Sequence, residues 1–327
     1  MKRITFVSDM MLMKRIHAVA VFLAASMVSL IGAGEPLKPQ IAGPWWTVAG
    51  DPNLGPLTEP KQQPVDFGIW QASDGTWQLW SCIRGTKEPG KTRLFHRWEG
   101  ANLRDSNWQP KGISLHADPT LGETEGGLQA PFVFKSGNKF WMAYGDWIHI
   151  CLATSNDGKS FTRYRGVNDR PQVFGKGDND NTRDPMILRS GDKWFCYYTA
   201  HPDRHGSVYA RISTNLFDWS TERLVAARGQ AGDGPYAAEC PFVVEARAGD
   251  FFLFRTQRYG ASAQTSVYHS RDPLDFGIDH DAGHFVGTLP IAAPEIFQFE
   301  GNWFVAALLP SLKGIQIAPL RWIAGTD

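Results

Sequence analysis

What this chain has little of narrows its reading first. It has four cysteines in 327 residues, Cys82, Cys151, Cys196 and Cys240, and no Cys-x-x-Cys pair among them. That spacing fits neither a disulfide-dense scaffold nor a cysteine metal site, so free thiols buried as small hydrophobes are expected. There is no excess charge of one sign, with 33 Lys and Arg against 33 Asp and Glu. That balance gives no support to nucleic acid or an anionic membrane as a partner. No Gly-rich phosphate loop and no Gly-x-Ser-x-Gly elbow occurs, which leaves nucleotide and serine-hydrolase chemistry, and any cofactor, without support. Apolar runs are short too, the one near the start covering only residues 18–31, too few to span a bilayer.

That run follows Lys14 and Arg15 and leads into Gly32, Ala33 and Gly34, the layout of an export signal. Residues 1–34 are therefore read as a signal peptide and 35–327 as the mature domain, secreted or periplasmic, monomeric and free of the membrane. No cysteine follows the run to carry a lipid. Removing it leaves 29 basic and 32 acidic residues, a net charge of −3.

What the chain does have is aromatic and turn-rich. Thirteen Trp, 33 Gly and 21 Pro favour strands and turns over long helices. Five stretches share one pattern of apolar strand, Gly-containing turn and aromatic strand. They are DFGIWQASDGTWQLWSC (66–82), APFVFKSGNKFWMAYGDW (130–147), DPMILRSGDKWFCYYTA (184–200), CPFVVEARAGDFFLFRTQ (240–257) and APEIFQFEGNWFVAALL (293–309). Pro131, Pro185, Pro241 and Pro294 hold the second position at spacings of 54, 56 and 53 residues, with Phe67 there in the first copy, 64 upstream. Ser-x-Asp/Asn turns ending in an aromatic (Phe161, Trp219, Phe276) follow the hairpins, loosely matched by Trp108. A fixed period of this size with hairpin content predicts an all-β, five-bladed β-propeller. A short strand at Trp45–Val48 is expected to complete the blade built by residues 293–322, since an open sheet edge invites aggregation.

Read in register, the first repeat positions are Asp66, Ala130, Asp184, Cys240 and Ala293, preceded by Val65, Gln129, Arg183, Glu239 and Ala292. Three carboxylates, Asp66, Asp184 and Glu239, thus point to one channel mouth. Glu239 lies one register off the two Asp. Neighbouring strand residues face opposite sides, so a bend at the blade entrance is required. Arg183 and Gln129 beside the repeat starts, and Asp146, Trp147, His201, Arg255 and Gln257 at second-strand ends and the turns after them, are candidate ligands for a substrate at the mouth, with Trp70 and Trp45 as candidate stacking platforms. His201 and His205 flank an Asp but lack a third ligand, so no metal is expected.

Thr182-Arg183-Asp184-Pro185 and Glu239-Cys240-Pro241 resemble the Arg-Asp-Pro and Glu-Cys-Pro boxes of glycoside hydrolase family 32, and the hairpins and Ser-x-Asp turns resemble family 43. The resemblance covers about residues 60–310. Val65-Asp66-Phe67-Gly68 departs from the Asn-Asp-Pro-Asn run of family 32 and from the Asp-Pro of family 43, and no β-sandwich follows the propeller here. The resemblance implies a glycosidase acting on furanosidic or related oligo- or polysaccharides. Glu239 would be the general acid, its uncharged neighbours keeping its pKa high, Asp66 the base or nucleophile, and Asp184 the transition-state stabiliser or pKa modulator. A lone propeller favours inversion. A non-catalytic carbohydrate-binding propeller and a phosphorylase using Arg183, His201 and Arg204 are the alternatives. Sugar and linkage preference is expected to lie in loops 84–128 and 258–288.

Overall fold

The computed structural model describes residues 37–175 and 181–324, so the segment read as an export signal lies outside the described residues. The described strands form five antiparallel sheets, each built around one of the repeats. Blade 1 runs outward through Gln63–Gln71, Trp77–Arg84, Leu94–Gly100 and Gln109–Leu115. Blade 2 contains Gln129–Ser136, Lys139–Gly145 and Ile150–Ser155, and two short pieces, Thr162–Arg163 and Gln172–Phe174, share its outer edge. Blade 3 is Arg183–Ser190, Lys193–Ala200, Ser207–Ser213 and Arg223–Ala227, and blade 4 is Glu239–Arg247, Asp250–Arg258, Gln264–Ser270 and Phe285–Leu289. Blade 5 takes Glu295–Phe299, Asn302–Leu308 and Gly314–Ala324 from the end of the chain.

The second strands explain the aromatic runs. In Lys193–Ala200 every residue after Lys193 is buried, because neighbouring blades cover both faces of the sheet. A strand buried on both sides reads as a continuous apolar run rather than an alternation. The turn before it needs a left-handed residue, supplied by Gly191 at φ 61°. After the third strands of blades 2, 3 and 4 a serine hydroxyl accepts a backbone N–H: Gly158 to Ser155 at 2.8 Å, Leu216 to Ser213 at 2.9 Å, Asp272 to Ser270 at 3.0 Å. The aromatic that follows fills the seam between blades. Phe161 packs edge-on to Trp70 and Trp80 of blade 1, with centroids 5.8 and 5.4 Å away, and Phe276 is fully buried. Burying one such ring contributes roughly 2–3 kcal/mol.

The ring closes as the sequence predicts, and with one strand more. Trp46–Gly50 pairs with Gly314–Ala324, Trp46 opposite Ile317 and Gly50 opposite Gly314. Leu37–Ile41 also pairs with that long strand, Leu37 opposite Ala324. Its sequence, Leu-Lys-Pro-Gln-Ile, carries little strand signal, and its place is set by the eleven-residue partner left uncovered beyond Ala318.

Candidate active site

The blade mouths are built alike, and that build aims the carboxylates. The first repeat position is left-handed in every blade, with Asp66 at φ 41°, Ala130 at 43°, Asp184 at 56°, Cys240 at 46° and Ala293 at 50°. In blades 1 to 4 the pairing register slips at the same place, between Val65 and Phe67, Gln129 and Phe132, Arg183 and Met186, and Glu239 and Phe242. A β-bulge bends its strand and re-aims side chains. Consecutive residues then line adjoining spaces, Arg183 the wider cavity and Asp184 the axial channel. The bend required by the offset of Glu239 is this bulge. The repeat prolines in blades 2 to 4 sit within it, where the ladder asks for no N–H.

Left-handed non-glycine residues cost about 1 kcal/mol or more each. Hydrogen bonds at the mouths offset that strain. Cys240 N–H donates to Asp184 Oδ2 at 3.0 Å and Ala293 N–H to Thr256 Oγ1 at 3.0 Å. The Ser81 hydroxyl donates to Val65 O at 2.8 Å and the Thr199 hydroxyl to Ala238 O at 2.6 Å.

These contacts bring together the three carboxylates, from blades 1, 3 and 4. Asp184 is tied to blade 4 through Cys240 N–H, while Cys240 Sγ lies 3.2 Å from Asp66 Oδ1 and 3.2 Å from the Tyr259 hydroxyl. Arg183 Nη2 donates to Glu239 Oε1, and Arg183 Nε lies 3.8 Å from Asp184 Oδ2. Arg93 Nη1 stands 3.9 Å from Asp66 Oδ2. Asp66 and Glu239 both line a cavity of about 570 Å³. Asp184, only 4% exposed, faces the axial channel below together with Asp66 and Cys240, a space of about 20 Å³ that holds about one water. Glu295 lines the same channel among Phe132, Met186 and Phe242, where burial pushes its carboxyl well above the usual carboxylate range.

Crowding sets the protonation of the group. Burial, then repulsion from Asp66 and Glu239, pushes Asp184 up to about 7 against the pull of Arg183 and the Cys240 N–H. Burial likewise raises Asp66, with Arg93 opposing and Glu239 adding to the rise. Asp66 and Asp184 oppose each other's ionisation, so Asp184 keeps its proton up to near neutrality and the two titrate as a pair. Burial works against the charge on Arg183, yet Glu239 and Asp184 more than offset it and keep the guanidinium charged.

The structure redistributes the candidate ligands. Arg183, Gln129, Trp147 and His201 line the cavity, with His201 Nδ1 3.1 Å from Arg183 Nη1. Asp146 does not line it: fully buried, it accepts the N–H groups of Ile148 and His149 at 3.0 and 2.6 Å and so caps the turn that presents Trp147. Arg255 is fully buried as well, donating to Ala237 O, Arg228 O and Gly232 O, and pins the loop ahead of Glu239. Gln257 turns aside to accept the Ser266 hydroxyl. Trp70 lies four residues down its strand from Asp66, about 13 Å away at ordinary strand rise, with its indole N–H on Gly158 O at 2.7 Å. Trp45 packs into the core of blades 4 and 5. His205 is exposed and faces Asp233 at 3.0 Å.

Two expectations about chemistry also change. Cys82, Cys151 and Cys196 are free and buried, but Cys240, though free, belongs to the site. Glu239 is not isolated by its uncharged sequence neighbours, because Arg183 reaches it from the next blade. That guanidinium must leave Oε1 before the oxygen can present a proton.

Sequence reasoning missed Arg84, Arg93, Asn181, Tyr236 and Tyr259 in the cavity wall. None lies within the aligned hairpins. Arg84, Arg93 and Tyr259 fall in the stretches 84–128 and 258–288 set aside for specificity, where no repeat marks individual residues.

The model of the glycosyl hydrolases family 32 N-terminal domain matches residues 95–303. No curated protein matches the chain. Among solved structures, a thermostable family-43 glycoside hydrolase is similar with 20% identity and a TM-score of 0.59 over 82% of this chain and 92% of its own. An endo-arabinase from Bacteroides thetaiotaomicron gives 13% identity and a TM-score of 0.60 over 81% and 95%. A family 32 beta-fructofuranosidase from Bombyx mori, a point mutant in complex with sucrose, gives 18% and 0.57 over 84% of this chain and 62% of that one. At such identities the likeness is one of fold.

Proposed function

The chain belongs to the glycosyl hydrolases family 32 N-terminal domain family, and on that premise we propose that it hydrolyses furanosidic or related oligosaccharide linkages at the cavity between Asp66 and Glu239. The observation that carries this reading is the meeting of carboxyls from different blades on one cavity. Its volume, about 570 Å³, is in the range of small-ligand sites. Glycoside cleavage needs one carboxyl to protonate the leaving oxygen and a second to act as base or nucleophile. Glu239 takes the first role, once substrate draws Arg183 away from Oε1, and Asp66 the second. Asp184 lies beneath both and tunes their protonation through the shared Cys240 and Arg183 contacts. That an endo-arabinase and a beta-fructofuranosidase are among the similar structures supports oligosaccharides as the substrate class.

The test is a hydrolysis screen over arabinose, xylose and fructose oligosaccharides with the product anomer followed by NMR. Wild type releases sugar from at least one. Glu239→Gln loses at least about a thousandfold in kcat/KM, as for loss of a general acid beyond its local electrostatics, and still folds, melting lower only by what Arg183 loses with its charged partner. Full activity in Glu239→Gln overturns the assignment. The Arg183–Glu239 contact favours one second reading, a propeller that binds sugars without cleaving them, and binding without release across the screen selects it. The proposal includes export: residues 1–34 are removed, and the mature protein recovered from the cell envelope or medium starts close to residue 35. A start at Met1 there contradicts this.

A further inference from the structure

The cavity holds more positive charge than neutral sugar chemistry needs. Of its wall guanidiniums, Arg183 is matched by Glu239. The two on blade 1 are not matched in this way. Arg84 spends Nε and Nη2 on the amide oxygen of Gln63, at 2.9 and 2.8 Å, and no carboxylate among the described residues pairs with it. Arg93 reaches Asp66 only at 3.9 Å, beyond hydrogen-bond distance, and its guanidinium lies 5.1 Å from the Trp147 ring centre. Exposed Lys91, outside the cavity wall itself, places a further cation 4.8 Å from the same ring. A charged group in an enclosed wall is costly when its partner is neutral. A planar guanidinium fork is shaped for a carboxylate or a sulfur or phosphorus oxyanion.

A second observation points to a ligand. Gln129, 2% exposed and lining the same cavity, has its side-chain oxygen buried with no hydrogen-bond partner. A buried unpaired acceptor is unfavourable until something donates to it, and a sugar hydroxyl is such a donor.

Resting on the glycosidase reading of this cavity, we infer that its substrate carries an anionic group, a uronate carboxylate or a sulfate ester, held by Arg84 and Arg93 while a ring hydroxyl donates to Gln129. Arg84 is then a specificity-determining residue. Its fork, already braced by Gln63, meets the oxyanion without first having to be ordered.

Calorimetry with the Glu239→Gln protein tests this on three probes of matched length: neutral arabinose oligosaccharides, galacturonate oligosaccharides and sulfated galactose oligosaccharides. One anionic probe binds at least about tenfold tighter than the neutral one, the scale of a charge-assisted contact. The advantage shrinks as salt is raised. It disappears in Glu239→Gln/Arg84→Gln and is partly restored in Glu239→Gln/Arg84→Lys, which keeps the charge without the fork. The lysine version also serves if the glutamine variant does not fold. Tighter binding of galacturonate identifies a carboxylate and of the sulfated probe a sulfate ester. Equal binding of neutral and anionic probes overturns the inference, as does an anionic preference untouched at position 84. Hydrolysis by wild type separates the two claims. Anionic binding without cleavage removes the glycosidase reading alone, and cleavage confined to neutral probes removes the anionic subsite alone.

Discussion

Asp184 shows what the site costs the protein at the level of one residue. Its carboxyl is pushed up to about 7 from an ordinary 3.8 by burial and by Asp66 and Glu239. The unfolded chain therefore ionises first, and stability is lost as pH rises from 3.8 to about 7, then levels off. Asn at this position still accepts the Cys240 N–H and carries no charge. Asp184→Asn is expected to be more stable than wild type at about pH 8, by an amount on the order of a few kcal/mol, with the gap closing towards pH 4 and hydrolysis falling. Melting curves across that range check the sign, and a gap independent of pH contradicts it. At this scale the sequence was only partly legible. Asp66, Asp184 and Glu239 could be found because repeats align them. Arg183 on Glu239 could not be found, nor Cys240 against Asp66, because contacts between blades leave no mark in a single repeat.

The element that does the aiming is the left-handed blade mouth, set in a bulge in blades 1 to 4. Hairpins were readable from period, turn glycine and aromatic run, because each of those is a property of residue type. The bulge was visible only as a demand, the one-residue offset of Glu239. The left-handed residues of the five mouths are Asp, Ala, Asp, Cys and Ala, and Ala and Cys have no preference for that region. The conformation is imposed by pairing on either side and by bonds such as Ala293 N–H to Thr256 Oγ1. Ala293 offers a test free of the carboxylates. At φ 50°, Ala293→Gly leaves stability unchanged or raises it by up to about 1 kcal/mol. Ala293→Val, β-branched and buried, lowers it by about 2 kcal/mol or more. Denaturant midpoints measure both. Equal effects of the two substitutions contradict an imposed left-handed mouth.

At the scale of the molecule, the propeller is a device for bringing distant sequence to one point. Asp66 and Cys240 are 174 positions apart and their side chains lie 3.2 Å from each other. That contact depends on a closed ring, completed where Trp46–Gly50 and Leu37–Ile41 join the last long strand. Closure was legible because an unpaired edge has to be covered; the identity of the outer strand was not, since five weakly patterned residues suffice. The proposed chemistry rests most heavily on Asp66, whose sequence surroundings fit the family least and which lines both the cavity and the axial channel. The most direct measurement is kcat/KM of Asp66→Asn beside wild type on whichever oligosaccharide the wild type cleaves best. The account predicts a loss of at least about a thousandfold in a protein that melts no lower than wild type, because Asn removes a carboxyl whose burial raises its pKa. Activity within about tenfold of wild type would contradict it.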